Sequence, residues 1–297
     1  MSNTKAGYVA ILGRPNSGKS TLLNALLDYK LSIVTPKAQT TRKRVAGIYS
    51  TEDTQVVFLD TPGIIKPDDE IHKSMMTYVQ NSVEEADVLV ILIDASKYDI
   101  GKGFDKMITA YTSSFKGPKI LLLNKIDKFE DKKKLLPLMS FMQKENAFDE
   151  IIPISALKND NLKLLLDIIS KYLPENPFYY DPEQISTESQ RFFVSEFIRE
   201  QVFFRFKEEI PYSVEVNILE FKERENGKWY ISAEIIVERD SQKKIIIGKN
   251  GEKIKELGTY SRKEIENHLG LEIFLELFVK VREDWRNNTT LLKSYGY

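Results

Sequence analysis

An eight-residue run near the N-terminus has the residue types that hold phosphate groups. It reads Gly13-Arg14-Pro15-Asn16-Ser17-Gly18-Lys19-Ser20 and matches G-x-x-x-x-G-K-[ST]. The glycines let backbone N–H groups point at phosphate oxygens, Lys19 places a cation on the β- and γ-phosphates, and the Ser20 hydroxyl is a ligand for Mg²⁺. A candidate strand precedes the run and a candidate helix follows it, as the pattern requires. We therefore predict a nucleotide site here, with contacts from Asn16, Ser17 and Thr21 as well.

A second signal, further along the chain, has the chemistry of a metal and γ-phosphate contact. Asp60-Thr61-Pro62-Gly63 stands at the end of a candidate strand. Asp60 can hold Mg²⁺ through water, and the N–H of Gly63 can contact the γ-phosphate. D-x-x-G alone also describes a plain turn, so its weight comes from its position after the phosphate loop.

The next signals point to guanine as the base. Asn124-Lys125-Ile126-Asp127 ends a candidate strand, and Ser155-Ala156 follows the next one. Asp127 can accept hydrogen bonds from guanine N1–H and the 2-amino group, which adenine lacks, so such a site discriminates strongly. The Lys125 stem can cover the base, the Asn124 amide can tie the loops together, and the Ser155-Ala156 turn can offer a backbone N–H to guanine O6. This pattern excludes an ATPase or a kinase.

The elements between these motifs indicate how they are brought together. The strand candidates are Gly7–Leu12, Ala46–Ser50, Gln55–Leu59, Val88–Asp94, Lys119–Leu123 and Glu150–Ile154. The helix candidates between them are Ser20–Leu27, His72–Glu84, Phe104–Ser113, Lys132–Glu145 and Leu162–Tyr172. This alternation predicts an α/β fold, with a mostly parallel sheet and helices on both faces. The four motifs then lie at the carboxyl ends of strands, which is the edge where such sheets bind ligands.

The C-terminal part has a different order of elements and a second glycine motif. A helix, two strands, a short helix, a turn, a helix and a strand make an α+β unit after residue 188. The turn is Gly248-Lys249-Asn250-Gly251, and Lys253 follows it. Glycines of this kind let a nucleic-acid backbone approach, the lysines neutralise phosphates, and the adjoining groove receives about four unpaired bases. The alternative is a helix–turn–helix corner with a solvated basic face.

The charge around this turn supports its interpretation as a nucleic-acid contact. Between Arg239 and Lys263, eight basic residues stand against three acidic ones. The whole chain has a net charge of −1, so any nucleic-acid contact has to come from such a local patch. Ile254, Leu257, Ile265 and Leu269 recur at helical spacing and are predicted to be core residues.

Length and composition set the remaining limits. With 297 residues, 42% of them hydrophobic, the chain is long enough for two domains of about 100–200 residues. Leu173–Thr187 contains three prolines and has no regular period, so it reads as a linker. We predict a GTP-binding domain over residues 1–173, a linker over 174–187 and an RNA-binding domain over 188–297.

The absence of cysteine excludes disulfides and thiolate metal sites. No secretory pattern or membrane-spanning run is seen, so a cytoplasmic location is expected.

Together these residues resemble one family, the Era GTPases. The resemblance covers nearly the whole chain, through GRPNSGKSTLLN, KAQTTR, DTPG, NKID, SA and IIIGKNGEKIKELG, with a similar ending around Val281-Arg282, Trp285 and Leu291–Tyr297. It implies a P-loop GTPase domain followed by an α+β KH domain of the type II found in ribosomal proteins. It also implies GTP/GDP and Mg²⁺ as ligands, and binding of the KH domain to the 3′ end of 16S ribosomal RNA during small-subunit assembly. A monomer is expected, and peripheral association with the inner face of the cell membrane is implied by the resemblance only.

The resemblance also bears on the catalytic residues. The loop Leu31–Val45 contains Thr40 and Thr41, and either hydroxyl could complete the Mg²⁺ shell when the γ-phosphate is present. Thr41 is favoured from its place before Arg42 in related GTPases, which gives Lys19, Thr41 and Gly63 as the catalytic set and Ser20, Thr41 and Asp60 as the metal set. Ile64 stands where many GTPases have a water-orienting glutamine, so slow intrinsic hydrolysis is predicted. In related GTPases the residue matching Asn16 helps to hold K⁺, which could supply the missing charge; a ribosomal partner is the other candidate.

Two classes of function follow. In the first, GTP hydrolysis resets an RNA-binding switch in assembly of the 30S subunit. In the second, the protein is an RNA-binding chaperone or signalling factor gated by GTP or GDP occupancy with negligible turnover. Ile64 is the residue that keeps the second class open.

Overall fold

The chain divides into two compact units, which are described separately. The computed structural model describes residues 4–145, 147–225 and 227–297. The first unit comprises the residues up to Pro67 together with His72–Thr187, and the second comprises Asp68–Ile71 and Glu188–Tyr297. The sequence predicted a change of unit near residue 188, but it gave no sign that Asp68–Ile71 would group with the C-terminal residues.

The first unit is built on a six-stranded sheet with the order β2-β3-β1-β4-β5-β6. Its strands are β1 (Lys5–Gly13), β2 (Val45–Ser50), β3 (Thr54–Asp60), β4 (Val88–Asp94), β5 (Lys119–Asn124) and β6 (Glu150–Pro153). All neighbouring pairs are parallel except β2 and β3. Every residue of β3, and Val88–Ile93 of β4, is buried, as expected for strands covered on both faces. The predicted mostly parallel α/β fold is confirmed.

In the described part of the chain, four α-helices connect these strands and a fifth follows β6. They are α1 (Lys19–Leu27), α2 (Glu70–Glu85), α3 (Lys106–Thr112), α4 (Leu136–Lys144) and α5 (Leu162–Tyr172). The single helix predicted over Lys132–Glu145 is instead a short 3₁₀ segment followed by α4. Pro137 stands in the first turn of α4, where a missing N–H costs nothing, so the α-helix begins there and not earlier.

The predicted linker is a docked part of the first unit. Ile48 donates its backbone N–H to the carbonyl of Ile185 at 2.7 Å, so the segment runs beside β2. The Gln55 side chain accepts from the N–H groups of Tyr179 and Tyr180 at 2.9 and 3.0 Å. The prolines and the lack of a regular period predicted a linker, whereas these hydrogen bonds fix the segment to the sheet edge.

The second unit is a three-stranded sheet with helices. Its elements are α6 (Gln190–Arg205), α7 (Ile210–Ser213), β7 (Glu215–Lys222), β8 (Trp229–Val237), α8 (Asp240–Ile247), α9 (Glu252–Leu269), β9 (Ile273–Val281) and α10 (Thr289–Ser294). The strand order is β7-β8-β9, with β7 antiparallel and β9 parallel to β8. The order of elements follows the prediction, except that α7 precedes β7 and α10 ends the chain.

A cluster around Trp285 explains why residues from the middle of the chain belong to this unit. Trp285 is fully buried and donates its indole N–H to the carbonyl of Ser213 at 3.0 Å. Ile71 and Leu292 are buried in the same apolar cluster. Asp69 pairs with Arg286 at 2.5 Å. Because the partners are more than 200 residues apart in the chain, no local pattern could have indicated these contacts.

Candidate nucleotide site and nucleic-acid interface

The phosphate loop joins β1 to α1 and depends on two glycines with unusual backbone angles. Gly13 has φ 153° and Gly18 has φ 104°. A Cβ on Gly13 would lie 2.4 Å from the carbonyl oxygen of Leu92, and one on Gly18 would lie 2.3 Å from the Asn124 amide nitrogen. Both the angles and the close approaches therefore require glycine. The phosphate loop therefore packs closely against β4 and against Asn124 at the end of β5.

Lys19 is held inside this loop. Its ammonium donates to the carbonyl oxygens of Gly13 at 3.3 Å and Arg14 at 3.2 Å. Burial lowers the pKa of Lys19 to about 8, while the nearby carboxylate of Asp60 acts in the opposite direction. A buried cation ringed by loop carbonyls gains a stronger partner when phosphate oxygens enter the loop.

The predicted metal ligands are close together. The hydroxyls of Ser20 and Thr41 lie 2.8 Å apart. Asp60 is fully buried, and within the described residues neither of its carboxylate oxygens has a hydrogen bond of normal geometry. Burial raises the pKa of Asp60, and the charge of Lys19 and the nearby Ser20 and Ser32 hydroxyls partly oppose this. Two hydroxyls and a carboxylate with unmet hydrogen-bonding capacity are oxygen donors of the kind Mg²⁺ takes, so these residues fit the ion.

The two candidate threonines of the first loop have different environments. Thr41 contacts Ser20, whereas the Thr40 hydroxyl lies 2.6 Å from that of Thr35 and donates to the carbonyl of Lys37 at 2.9 Å. Thr40 is therefore engaged within its own loop. The geometry places Thr41, and not Thr40, beside Ser20, another of the predicted metal ligands.

The segment after Asp60 is docked on the phosphate loop. A Cβ on Gly63 would lie 2.7 Å from the backbone nitrogen of Pro15, and the N–H of Ile64 donates to the carbonyl of Gly13 at 3.0 Å. Arg14 donates to the carbonyl of Ile64 at 2.9 Å and pairs with Asp105 at 3.3 Å. The Ile64 side chain is fully buried in the core of the unit. It therefore cannot orient an attacking water.

Asn124 ties the loops of the base pocket together. Its amide donates to the carbonyl of Ser17 at 2.8 Å. Its side-chain oxygen accepts from the N–H groups of Lys125 at 2.8 Å and Ala156 at 3.0 Å. The Ala156 N–H, in the turn that was predicted to offer a backbone N–H to guanine O6, is directed at Asn124.

Lys125 and Asp127 are positioned by side chains from other loops. The Lys125 ammonium donates to the Asn16 carbonyl at 2.6 Å and to Asp94 at 2.8 Å. Asp127 accepts from the Ser155 hydroxyl at 2.5 Å. Lys125 and Asp127 line a cavity of about 210 Å³. Its other lining residues are Gly18, Thr21, Asn124, Lys128, Ala156 and Leu157.

A second cavity contains the phosphate-binding residues. It is about 60 Å³ in volume and is lined by Lys19, Ser20 and Gly63 among others. Gly18 and Thr21 line both cavities, so the base and phosphate pockets adjoin. All the predicted nucleotide-site residues therefore gather at one edge of the sheet. Asn16 is held in the left-handed region at φ 62°, with its amide on the carbonyl of Pro36 at 3.2 Å.

Some site residues were not found from the sequence. Asp94 holds Lys125, and Arg14 holds the backbone of Ile64. The signal for Asp94 was its place at the end of a buried strand, on the same edge as the other motifs. Arg14 occupies a variable position of the loop pattern, so its type carried no signal.

The second glycine motif lies between α8 and α9 of the C-terminal unit. Gly248 and Gly251 have φ 71° and 79°, and Asn250 between them has φ 52°. A Cβ on Gly248 would lie 2.9 Å from the Cβ of Lys253. Lys249, Asn250 and Lys253 are exposed. The turn thus presents two exposed amines beside glycines that are half-buried.

A groove of about 390 Å³ adjoins α9 and β9. It is lined by Ile254, Lys255, Gly258, Thr259, Arg262, Leu275, Glu276 and Leu277. Ile254, which helical spacing assigned to the core, lines this groove instead, whereas Leu257 and Ile265 are fully buried. The lining thus combines apolar residues, the cations Lys255 and Arg262 and the carboxylate of Glu276. Its apolar and basic parts are suited to unpaired bases and their phosphates.

Comparison with protein families gives a match for each unit. Residues 8–125 match the model described as 50S ribosome-binding GTPase. Residues 209–286 match the model described as KH domain. The predicted pairing of a GTPase domain with a KH domain is therefore confirmed. None of the described helices is long and apolar enough to cross a membrane.

Two solved structures are similar over almost the full length. One is Era in complex with MgGDPNP and nucleotides 1506–1542 of 16S ribosomal RNA. The other is a variant of Era from Aquifex aeolicus bound to GDP·AlF4⁻. Each is 42% identical to this chain with a TM-score of 0.93, and the match covers 99% of both chains.

Proposed function

The chain belongs to the Era family of GTPases, and on this premise we propose that it binds the 3′ end of 16S ribosomal RNA and acts as a GTP-dependent switch in small-subunit assembly. The observation that carries the proposal is the presence in one chain of a complete guanine-nucleotide site and an exposed GKNG turn beside an apolar groove. The relative described above binds the same RNA segment and a GTP analogue together.

The hydrolysis chemistry assigned to this chain is mainly electrostatic. Lys19 and the N–H of Gly63 stabilise the charge that develops on the γ-phosphoryl group. Ser20, Thr41 and Asp60 would hold Mg²⁺, which when bound neutralises phosphate charge. Asp127 selects guanine, because an adenine nucleotide would leave its carboxylate without a donor.

We infer that intrinsic turnover is slow. The Ile64 side chain is apolar and buried, so it cannot orient water. Asn16 is the candidate for holding K⁺ beside the phosphates, which would add positive charge. Equal turnover in K⁺ and Na⁺ buffers would remove Asn16 from this role.

The RNA contact is assigned to the GKNG turn and the groove beside α9. Lys249 and Lys253 stand at the turn, and Lys255 and Arg262 line the groove. These cations offset phosphate charge, while Ile254 and Leu277 supply apolar surface for bases. Whether GTP or GDP is bound then determines whether the RNA-bound arrangement of the protein is favoured.

The test is GTP hydrolysis by the pure protein with and without a short RNA copying the 16S 3′ end. Marked stimulation is expected, since RNA binding and turnover belong to one cycle. Gly248→Asp should abolish RNA binding and stimulation but spare GTP binding, because added bulk and charge block the backbone approach. Gly270→Asp is the matched control: it adds the same charge at a left-handed position (φ 70°) with nothing within 4 Å of the new Cβ.

A second function is favoured by one observation, the buried Ile64 in place of a polar residue. In that case the protein is an RNA chaperone gated by GTP or GDP occupancy, with negligible turnover. Multiple-turnover phosphate release separates the two. If the RNA binds tightly and release stays at the background rate, the gated chaperone replaces the switch.

Location follows from the proposed role. A protein that acts in the assembly of the small ribosomal subunit is expected in the cytoplasm. Peripheral membrane association rests on the family resemblance alone and stays a prediction. Co-flotation of the protein with vesicles of bacterial lipids is its test.

A further inference from the structure

The carboxylate of Asp94 lies next to the base cavity, which Lys125 lines and Asp94 does not. Asp94 ends β4 and is paired in register with Asn124, the last residue of β5. Its side chain therefore reaches the next residue along the chain, and its Oδ2 atom lies 2.8 Å from the Lys125 ammonium. The side chains of Asp94 and Lys125 are only 16% and 24% exposed, so water screens this ion pair less than it screens a surface pair.

Asp94 is itself fixed by the residues that follow it. Its Oδ1 atom accepts from the N–H of Ser96 at 3.1 Å and from the Ser96 hydroxyl at 2.6 Å. Asp94 is thus the N-cap of a short 3₁₀ turn, Ala95–Lys97. Burial acts to raise the pKa of Asp94, but the hydrogen bonds from Lys125 and Ser96 outweigh it and lower the pKa. The two carboxylate oxygens therefore have separate partners, and the group is charged at neutral pH.

The Lys125 side chain is held at both ends. Its backbone lies in the left-handed region at φ 68°, and its N–H donates to the side-chain oxygen of Asn124 at 2.8 Å. Its ammonium donates to the Asn16 carbonyl of the phosphate loop at 2.6 Å as well as to Asp94. The stem between these points lines the base cavity. A lysine stem has several rotatable bonds, so a ligand that had to order it would bind more weakly.

Asp94 is the stronger of the two anchors of the ammonium, because it adds an ion pair to the hydrogen bond. Without it the ammonium would keep the Asn16 carbonyl alone. The stem would then be free to leave the wall of the cavity, and a nucleotide would have to bring it back.

We propose that Asp94 is a positioning residue for nucleotide binding, which holds the Lys125 stem as a preformed wall of the base pocket. GTP and GDP carry the same base, so Asp94 should strengthen the binding of both equally. Lys19, Thr41 and Gly63 are not part of this pair, so turnover of bound GTP should not depend on it. The inference rests on the guanine-nucleotide site of the proposed function and names a determinant of its affinity.

The test is Asp94→Asn, with affinities measured by titration with fluorescent GDP and a fluorescent GTP analogue. The amide keeps the shape but has a single oxygen, so it cannot accept from both Lys125 and Ser96. Both dissociation constants should rise by the same factor, about tenfold or 1.4 kcal/mol. The turnover number at saturating GTP and the Mg²⁺ midpoint should stay within twofold.

Asp99→Asn is the matched control. Asp99 caps the next 3₁₀ turn, Ile100–Lys102, through the N–H of Gly101 at 3.0 Å, but its ion-pair partner is the exposed Lys102. Its replacement should leave both affinities within twofold.

Lys125→Met tests whether Asp94 acts through the lysine, because it keeps an apolar stem and removes the ammonium. Asp94→Asn should cost nothing further in this background. A second loss of about tenfold there would overturn the proposal, since Asp94 would then act through another residue.

Inosine diphosphate separates the face of the base from its edge. Hypoxanthine lacks the 2-amino group, which is assigned to Asp127 at the ring edge, whereas the Lys125 stem is assigned to the ring face. Asp94→Asn should therefore weaken GDP and inosine diphosphate by the same factor. A loss confined to GDP would show that Asp94 acts on the ring edge and would overturn the proposal.

Ser96→Ala covers the case in which Asp94→Asn folds poorly. It keeps the charge of Asp94 but removes the hydroxyl that directs the carboxylate, and it should weaken GDP and GTP alike by several-fold. Unchanged nucleotide affinity in both variants would overturn the proposal, as would a lower turnover number with unchanged affinities. Failure of the unaltered protein to bind GDP would instead count against the proposed function.

Discussion

Replacing Thr41 by alanine is the sharpest test of the metal site, because the adjacent Thr40 provides a control one residue away. The two hydroxyls have separate partners: Thr41 lies 2.8 Å from Ser20, and Thr40 lies 2.6 Å from Thr35. Thr41→Ala removes an oxygen from the set that includes Asp60. Thr40→Ala removes hydrogen bonds inside the loop and leaves that set complete.

The expected magnitude follows from what each hydroxyl does. Loss of an outer-shell partner of a metal costs about 10–100-fold in affinity or activity, so a direct oxygen should cost at least as much. That range is about 1.4–2.8 kcal/mol. The Thr40 hydrogen bonds are worth about 1 kcal/mol each and should appear in the stability of the protein, not in its use of Mg²⁺.

The assay is GTP hydrolysis against Mg²⁺ concentration, with GDP affinity measured in parallel. Thr41→Ala should raise the Mg²⁺ concentration for half-maximal turnover at least tenfold and leave GDP affinity unchanged, since Thr41 joins the shell only with the γ-phosphate present. Thr41→Ser should restore most of the loss. If Thr40→Ala shifts the Mg²⁺ midpoint as far as Thr41→Ala does, the assignment of Thr41 is wrong.

Asp127→Asn should move the base preference from guanine towards xanthine nucleotides, as measured by competition between XTP and GTP; an unchanged preference would remove Asp127 from the base pocket. Lys19 should make stability depend on pH, because burial lowers its pKa to about 8 from an ordinary 10.5. Between those two values the unfolded chain binds more protons than the folded, nucleotide-free protein does. The free energy of unfolding should therefore increase as the pH rises, by at most about 1.4 kcal/mol per pH unit. Denaturant unfolding should show this slope at pH 8–9.5 in the unaltered protein and lose it in Lys19→Met. Trp285→Phe should cost about 1–3 kcal/mol of unfolding free energy, since it leaves the Ser213 carbonyl without its donor, whereas Trp285→Ala should cost about 3–5 kcal/mol; a Trp285→Phe variant as stable as the unaltered protein would show that the hydrogen bond contributes nothing.

The nucleotide site was predictable because its geometry is encoded locally. Gly13 and Gly18 are required by backbone angles and by close approach, and both lie in one short run. The strands were predictable from continuous apolar runs such as Val88–Ile93, which is buried throughout. Once the strands are parallel, the motifs at their carboxyl ends have to meet at one edge, so the site follows from the order of elements.

What could not be predicted depends on contacts between distant parts of the chain. Asp94 and Lys125 meet only because β4 and β5 are neighbours in the sheet. The prolines and the missing period predicted a linker over residues 174–187, yet Gln55, 124 residues away from Tyr179, binds it. Ile254 has the helical spacing of a core residue but lines the groove, because the face of α9 that carries it is only partly covered.

The segment after Asp60 contributes residues to both units. Ile64 is hydrogen-bonded to the phosphate loop through Gly13 and Arg14, in the first unit. Asp69 and Ile71 are packed in the second unit, on Arg286 and beside Trp285. Only Ile65–Pro67 of the first unit and Asp68 lie between these anchored positions, and Pro67 has restricted backbone freedom. These four residues are therefore the covalent connection between a segment docked on the phosphate loop and a segment packed around Trp285.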